Sequence, residues 1–145
     1  MLDNKTLKEL NHQIQEETYS SYIYLAMAAW LEENGYKGMA TWMRVQAREE
    51  KIHADIFYNY IMERGGHVKL EAIDAPPDSW ESPLELFKAA YAHEEHITGR
   101  INHMVKVARE LNDNASERML HWFVDEQVEE EANTSEAVQQ LEIVK

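Results

Sequence analysis

Apolar residues recur every three or four positions through four long stretches of this chain, which is the spacing of one buried face of an α-helix. The pattern predicts helices over about Asn4–Glu33, Lys37–Arg64, Pro83–Leu111, and from Asn114 or Ser116 almost to Lys145. Only three prolines and five glycines occur in the 145 residues, so long uninterrupted helices are compatible with the composition.

The residues between these stretches are typical helix ends and starts. Asn34-Gly35 and Gly65-Gly66 favour the ends of the first two helices. Ser82, Pro83 and Glu85 form an N-cap, a first helical position and a capping box.

Connection lengths then predict the topology. Two short turns make antiparallel helix pairs, and the connection His67–Glu81 is long enough to cross a bundle from end to end. We expect one domain, residues 1–145, with an all-α four-helix fold and one long crossover between helices 2 and 3.

Ionisable side chains interrupt every apolar face near its middle. They are Glu17 on the first helix, Glu50 and His53 on the second, Glu94 on the third, and Glu130 on the fourth. Burying one unpaired carboxylate costs several kcal/mol, and four together repel one another. Taken alone, such a glutamate is usually a bundle-edge residue with its carboxylate in water. The combined pattern instead favours neutralisation of four negative charges by two divalent cations.

The ligand types narrow the choice of metal. Carboxylates with one imidazole suit iron or manganese, whereas calcium and magnesium prefer all-oxygen ligands and zinc prefers four close ligands. Glu50 and His53 are three residues apart and therefore project from one helix face onto one metal. A carboxylate can bridge two metals through its two oxygens. Two bridged iron(II) ions can jointly give two electrons to dioxygen.

Composition excludes several classes of partner and site but does not by itself indicate a function. The net charge of −13 argues against nucleic acid as a partner and favours cations, although acidity alone often serves only solubility. The absence of cysteine excludes disulfides, thiolate zinc sites and iron–sulfur clusters, and it fits a cytoplasmic protein. We expect no signal peptide at the N-terminus, and the longest apolar run, Tyr22–Leu31, is about half the length of a membrane helix.

The residues around these positions resemble the non-haem bacterial ferritins over nearly the whole chain. The segments that carry the resemblance are Glu17–Tyr22, Ala47–His53, Tyr91–Ile97 and Trp122–Glu131, together with Pro-Pro-Asp-Ser-Trp-Glu-Ser-Pro in the crossover. The resemblance implies a ferritin-like four-helix bundle with a ferroxidase centre.

That family's centre matches residues of this chain one by one. The resemblance implies one iron bound by Glu17, Glu50 and His53, and a second by Glu50, Glu94 and Glu130 with Gln127 close by. A third, weaker iron site is implied at Glu49, Glu126 and Glu129, with Glu130 shared. Tyr24 matches a tyrosine that is thought to hydrogen-bond a ligand or supply an electron there; simple core packing is an equal alternative.

Departures from related families sharpen the expectation. Bacterioferritins repeat Glu-x-x-His on the fourth helix and bind haem through a methionine on the second, but this chain has Gln127-Val-Glu-Glu130 and Ile52, so we expect no haem. Rubrerythrins add a cysteine-rich iron domain, which these 145 residues cannot form because they contain no cysteine. Ferritins usually continue into a short fifth helix at the fourfold axis of a 24-subunit shell, and we expect that helix to be absent after Leu141–Lys145.

The expected function is an iron-storage ferritin. It would oxidise Fe(II) with dioxygen or hydrogen peroxide at a di-iron centre and store hydrated ferric oxide in a homo-oligomer, a 24-subunit shell, in the cytoplasm, without nucleic acid or membrane as partners. The alternative enzyme is a ferritin-like di-metal oxidoreductase that stores nothing, such as a peroxidase or manganese catalase. The non-enzymatic alternative is an acidic helical interaction module.

Overall fold

The computed structural model describes residues 1–144, which form four α-helices. Their bounds are α1 Asn4–Glu33, α2 Lys37–Glu63, α3 Pro83–Glu110 and α4 Asn114–Val144. The predicted elements are confirmed, with Arg64 and Leu111 placed as C-cap residues rather than in the last helical turn. With 30 residues, α1 is about 45 Å long.

Three helices end in the same hydrogen-bonded motif. After α1, the amide of Tyr36 donates to the carbonyl of Leu31 at 2.8 Å and the amide of Gly35 to that of Glu32 at 3.1 Å. This Schellman pairing requires a left-handed residue, which is Gly35 at φ 87° after α1 and Gly65 at φ 75° after α2. The end of α3 uses Asn112 at φ 55° instead, a residue that tolerates this conformation better than most.

Side-chain oxygens cap the helix starts. Asp3 accepts from the amide of Lys5 at 2.8 Å before α1, and Ser82 accepts from that of Glu85 at 3.1 Å before α3. Asp113 accepts from both the amide and the hydroxyl of Ser116, at 3.1 and 2.7 Å. A carboxylate one residue before Asn114 therefore explains why α4 begins there.

The described residues divide into two compact units, and the first is Met1–Trp80. Within it α1 and α2 pack antiparallel through the faces that the sequence pattern predicts. The fully buried apolar side chains include Leu10, Tyr24, Met27, Leu31, Met43, Phe57 and Ile61. Leu7 and Tyr60, at the edges of these faces, are only half-buried.

The chain after α2 returns along α1 without regular structure. Asn11 donates its side-chain amide to the carbonyl of His67 at 3.0 Å and accepts from the amide of Lys69 at 2.8 Å. Further along, Trp80 meets Trp30 edge to face with ring centroids 6.4 Å apart. The crossover therefore follows α1 from its first third to its last turn.

The second unit starts at Glu81 and contains α3 and α4. Its buried side chains follow the predicted faces and include Leu86, Ala90, Ile97, Ile101, Ala108, Leu120 and Phe123. Burial fades toward the chain end, where Ala137 and Leu141 are half-exposed. Among residues 1–144, no helix combines the length and the apolar character that a membrane span requires.

Candidate metal centre

Three predicted ligands meet in the first unit. Glu17 on α1 is fully buried, and Glu50 and His53 on α2 are 2% and 3% exposed. The Nδ1 atom of His53 lies 3.2 Å from Oε2 of Glu50 and 3.8 Å from Oε2 of Glu17. One turn of α2 separates Glu50 from His53, so both side chains reach the same point opposite Glu17.

These separations fit one metal ion. Two ligand atoms bound to the same metal at about 2.1 Å can be no more than about 4.2 Å apart. The distances from His53 Nδ1 to the two carboxylates satisfy that limit, and one donor atom from each of Glu17, Glu50 and His53 lies within 4.8 Å of the others. The cluster is therefore a candidate metal site with two carboxylates and one imidazole.

Oε2 of Glu17 is buried and accepts no hydrogen bond within the described part of the chain. Such an oxygen normally has a hydrogen-bonding partner, because an unsatisfied buried acceptor costs about 1–3 kcal/mol. The other oxygen, Oε1, accepts from Gln13 at 3.1 Å. A cation bound between Glu17 and His53 would satisfy Oε2.

Without a cation, protons hold this cluster together. Burial, and then repulsion from Glu17, raise the pKa of Glu50 to about 8, although hydrogen bonding to His53 lowers it. Burial lowers the pKa of His53, but the neighbouring carboxylates of Glu17 and Glu50 outweigh this effect and raise that pKa to about 11. Near pH 7 the metal-free cluster therefore keeps protons on both Glu50 and His53.

The second unit contains the other predicted acids. Glu94 on α3 and Glu130 on α4 are 1% and 4% exposed, with a carboxylate oxygen of each within 4.8 Å of the other. Gln127, also on α4, donates its amide to Oε2 of Glu94 at 3.2 Å and to the backbone carbonyl of Glu94 at 3.1 Å. Two acids and one amide thus share a buried position between α3 and α4.

The remaining predicted residues differ in burial. Tyr24 is fully buried on α1, two turns after Glu17. Glu49 on α2 and Glu126 on α4 are half-buried, and Glu129 on α4 is exposed. An exposed or half-exposed acid suits a site that exchanges its metal more readily than a buried one.

Several residues beside these acids are not singled out by the sequence pattern. Gln13 and Gln46 each lie one turn before a predicted ligand and donate to it, and Thr98 contacts Gln127. A Gln-x-x-x-Glu spacing on both α1 and α2 is the sequence signal that could have identified the first two.

All-α folds with paired carboxylates and Glu-x-x-His motifs define the ferritin-like class of metal carboxylate proteins. Comparison with known proteins agrees. The family model described as ferritin-like domain matches residues 7–144. Among curated relatives, the bacterial non-heme ferritin of Staphylococcus aureus (strain MRSA252) is 40% identical over 91% of this chain and 80% of its own length. That of Bacteroides fragilis (strain 638R) is 38% identical over 97% of this chain and 89% of its own.

Solved structures give the same result. An open pore ferritin from the hyperthermophilic archaeon Archaeoglobus fulgidus superposes with a TM-score of 0.98 at 43% identity, covering 99% of this chain and 89% of that one. The chain belongs to the ferritin family. Its fold is the all-α ferritin-like four-helix bundle that the sequence predicts.

Proposed function

We propose that this protein oxidises iron(II) to iron(III) and stores the product as hydrated ferric oxide. Iron(II) is the substrate, and dioxygen or hydrogen peroxide is the oxidant. The observation that carries the proposal is the convergence of Glu17, Glu50 and His53, in which the buried oxygen Oε2 of Glu17 accepts no hydrogen bond from residues 1–144. Carboxylates with one imidazole are ligands suited to iron.

The proposed centre takes two irons. The first binds to Glu17, Glu50 and His53, and the second to Glu94 and Glu130, with Glu50 shared between the two and Gln127 beside the second. The four carboxylates carry −4 when ionised, and two iron(II) ions carry +4. Charge balance supports two ions because one would leave buried negative charge that costs several kcal/mol.

The route from oxidation to storage passes through weaker sites. We propose a third iron site at Glu49, Glu126 and Glu129 together with Glu130. The greater exposure of Glu49, Glu126 and Glu129 supports a transient occupancy. Tyr24, fully buried near Glu17, is proposed to donate a hydrogen bond or an electron to the centre.

Family membership also supports proposals for the assembly and location of the protein. We propose a homo-oligomer, specifically a 24-subunit shell whose cavity holds the mineral, acting in the cytoplasm without haem. The similarity to ferritin structures over nearly the whole chain supports an oligomeric assembly. The cysteine-free composition fits the cytoplasm.

Anaerobic iron(II) titration followed by a pulse of oxygen tests the centre. Glu50→Ala and His53→Ala remove ligands from the first iron site and are expected to lower the initial oxidation rate at least about tenfold. Asp55→Ala is the matched control, because Asp55 is exposed on the same helix two residues after His53. An unchanged rate in both ligand variants would refute the site assignment.

The two alternatives give different results in simple experiments. A dimer that holds two metals per subunit and retains no further iron would indicate a peroxidase or catalase. Dialysed protein that binds no iron(II) at all would indicate a helical interaction module.

A further inference from the structure

Three buried glutamines donate hydrogen bonds to the predicted ligand carboxylates. In the first unit, Nε2 of Gln13 lies 3.1 Å from Oε1 of Glu17, and Nε2 of Gln46 lies 3.2 Å from Oε1 of Glu50. Gln13 is fully buried and Gln46 is 6% exposed. In the second unit, Gln127 donates to Glu94 in the same way.

The two pairs of the first unit share one geometry. In each pair the glutamine precedes its glutamate by four residues, so the two side chains lie on the same helix face one turn apart. Each amide contacts Oε1 and leaves Oε2 toward Nδ1 of His53, at 3.8 Å for Glu17 and 3.2 Å for Glu50. In both pairs the oxygen that the amide leaves uncontacted is therefore the one that faces the candidate metal site.

The choice of a neutral donor matters for charge. A lysine or arginine at these positions would also donate to the carboxylates, but its positive charge would oppose a divalent cation bound nearby. A glutamine amide orients the carboxylate and leaves the balance of four negative charges against two divalent ions unchanged. Two amides at equivalent positions on separate helices provide the same solution twice.

The second unit shows how such an amide is itself oriented. Nε2 of Gln127 faces the backbone carbonyl of Glu94 at 3.1 Å and the hydroxyl oxygen of Thr98 at 3.2 Å. A carbonyl can only accept a hydrogen bond, so the nitrogen of the amide must face Glu94. Thr98 in turn hydrogen-bonds Glu131 at the edge of the α3–α4 pair.

We propose that Gln13 and Gln46 are positioning residues that fix the orientation of the Glu17 and Glu50 carboxylates, so that Oε2 of each faces the first metal site. The inference rests on the proposed function, since it describes how the iron ligands are oriented. Loss of such a partner typically weakens metal binding about 10- to 100-fold. Loss of the glutamine amide also frees Oε1 of Glu17 or Glu50, which allows that carboxylate to bind the first-site metal through both oxygens.

Gln13→Met and Gln46→Met test the proposal, because methionine matches the length of glutamine but donates no hydrogen bond. Anaerobic Fe(II) titration of each intact variant is expected to give binding at least about tenfold weaker than wild type. With Co(II) as the probe, bidentate binding raises the coordination number, so the visible absorption band is expected to weaken. A residue that only supports the fold would change the unfolding temperature and leave the Co(II) spectrum as it is.

Thr6→Val is the matched control, because Thr6 is a buried polar residue of α1 whose hydroxyl has no hydrogen bond within residues 1–144. It is expected to keep wild-type affinity and spectrum. Wild-type affinity and an unchanged Co(II) band in both glutamine variants would overturn the proposal, while Fe(II) binding by the wild type would keep the proposed function intact. A wild type that binds no Fe(II) would instead overturn the proposed function itself.

Discussion

The Nδ1 atom of His53 lies 3.2 Å from Oε2 of Glu50, and both side chains are buried on one face of α2. Protons on both groups hold this pair together in the metal-free protein, and the iron proposed for this site would take their place. Metal ligands must be deprotonated, so protons and cations compete for the pair.

Cation binding at this site is therefore expected to release protons. The pKa of Glu50 is raised to about 8 and that of His53 to about 11, so both groups carry a proton at pH 7. Anaerobic Fe(II) or Zn(II) binding should release about two protons per first-site cation. Titration calorimetry in buffers of different ionisation enthalpy measures this number, and binding without proton release would contradict it.

The same pKa values set the pH dependence of stability without metal. Both groups hold protons more tightly when folded than when unfolded, so the folded state binds more protons and its stability falls as pH rises. Glu50 loses its contribution between pH 4.5 and about 8, and His53 between 6.5 and about 11. Urea unfolding of metal-free protein should show this decline, whereas stability that rises steadily from pH 5 to 9 would count against the assigned protons.

Glu50→Gln tests the effect of the Glu50 charge while keeping the size and packing of the side chain nearly unchanged. Glutamine resembles the protonated form of Glu50, so the variant avoids the free-energy cost of keeping that proton as pH rises. Its stability relative to wild type should therefore increase between pH 4.5 and about 8 in metal-free protein. Thermal unfolding with Zn(II) supplies the complementary result: Zn(II) should raise the unfolding temperature of wild type strongly and that of the variant only weakly.

Most of the fold followed from sequence because local signals agreed with the long-range pattern. The apolar spacing gave the helices, and Asn34-Gly35 and Gly65-Gly66 marked ends that the structure closes with left-handed glycines. The end of α3 was predicted as closely as that of α2, although Asn112 takes the left-handed conformation there without being a glycine. The path of the chain after α2 could not be predicted, because an irregular segment has no repeating apolar pattern. That path depends on side-chain contacts such as those of Asn11.

The candidate site was partly visible in the sequence for a different reason. Charged residues such as Glu17 and Glu50 stand out on an apolar face because their burial is costly without a partner. Gln13 and Gln46 are neutral, and a single glutamine on such a face is not conspicuous. Their role depends on which carboxylate oxygen each amide contacts, and that requires side-chain coordinates.

The contacts of Asn11 predict how the crossover is held. Asn11→Ala removes two hydrogen bonds to the segment at His67 and Lys69 and should lower the free energy of unfolding by about 1 kcal/mol. It should also speed proteolysis within the segment after α2. Asn59→Ala is the control because Asn59 is exposed on α2, and equal proteolysis of the two variants would argue against this anchoring role.

Native mass together with iron content after aerobic Fe(II) loading tests the central claim most directly. The proposed storage function predicts a hollow oligomer of several hundred kDa that retains many more irons per subunit than the two of its centre, as ferric mineral. A small assembly that retains two irons per subunit or fewer would contradict storage, even if the centre oxidised iron(II).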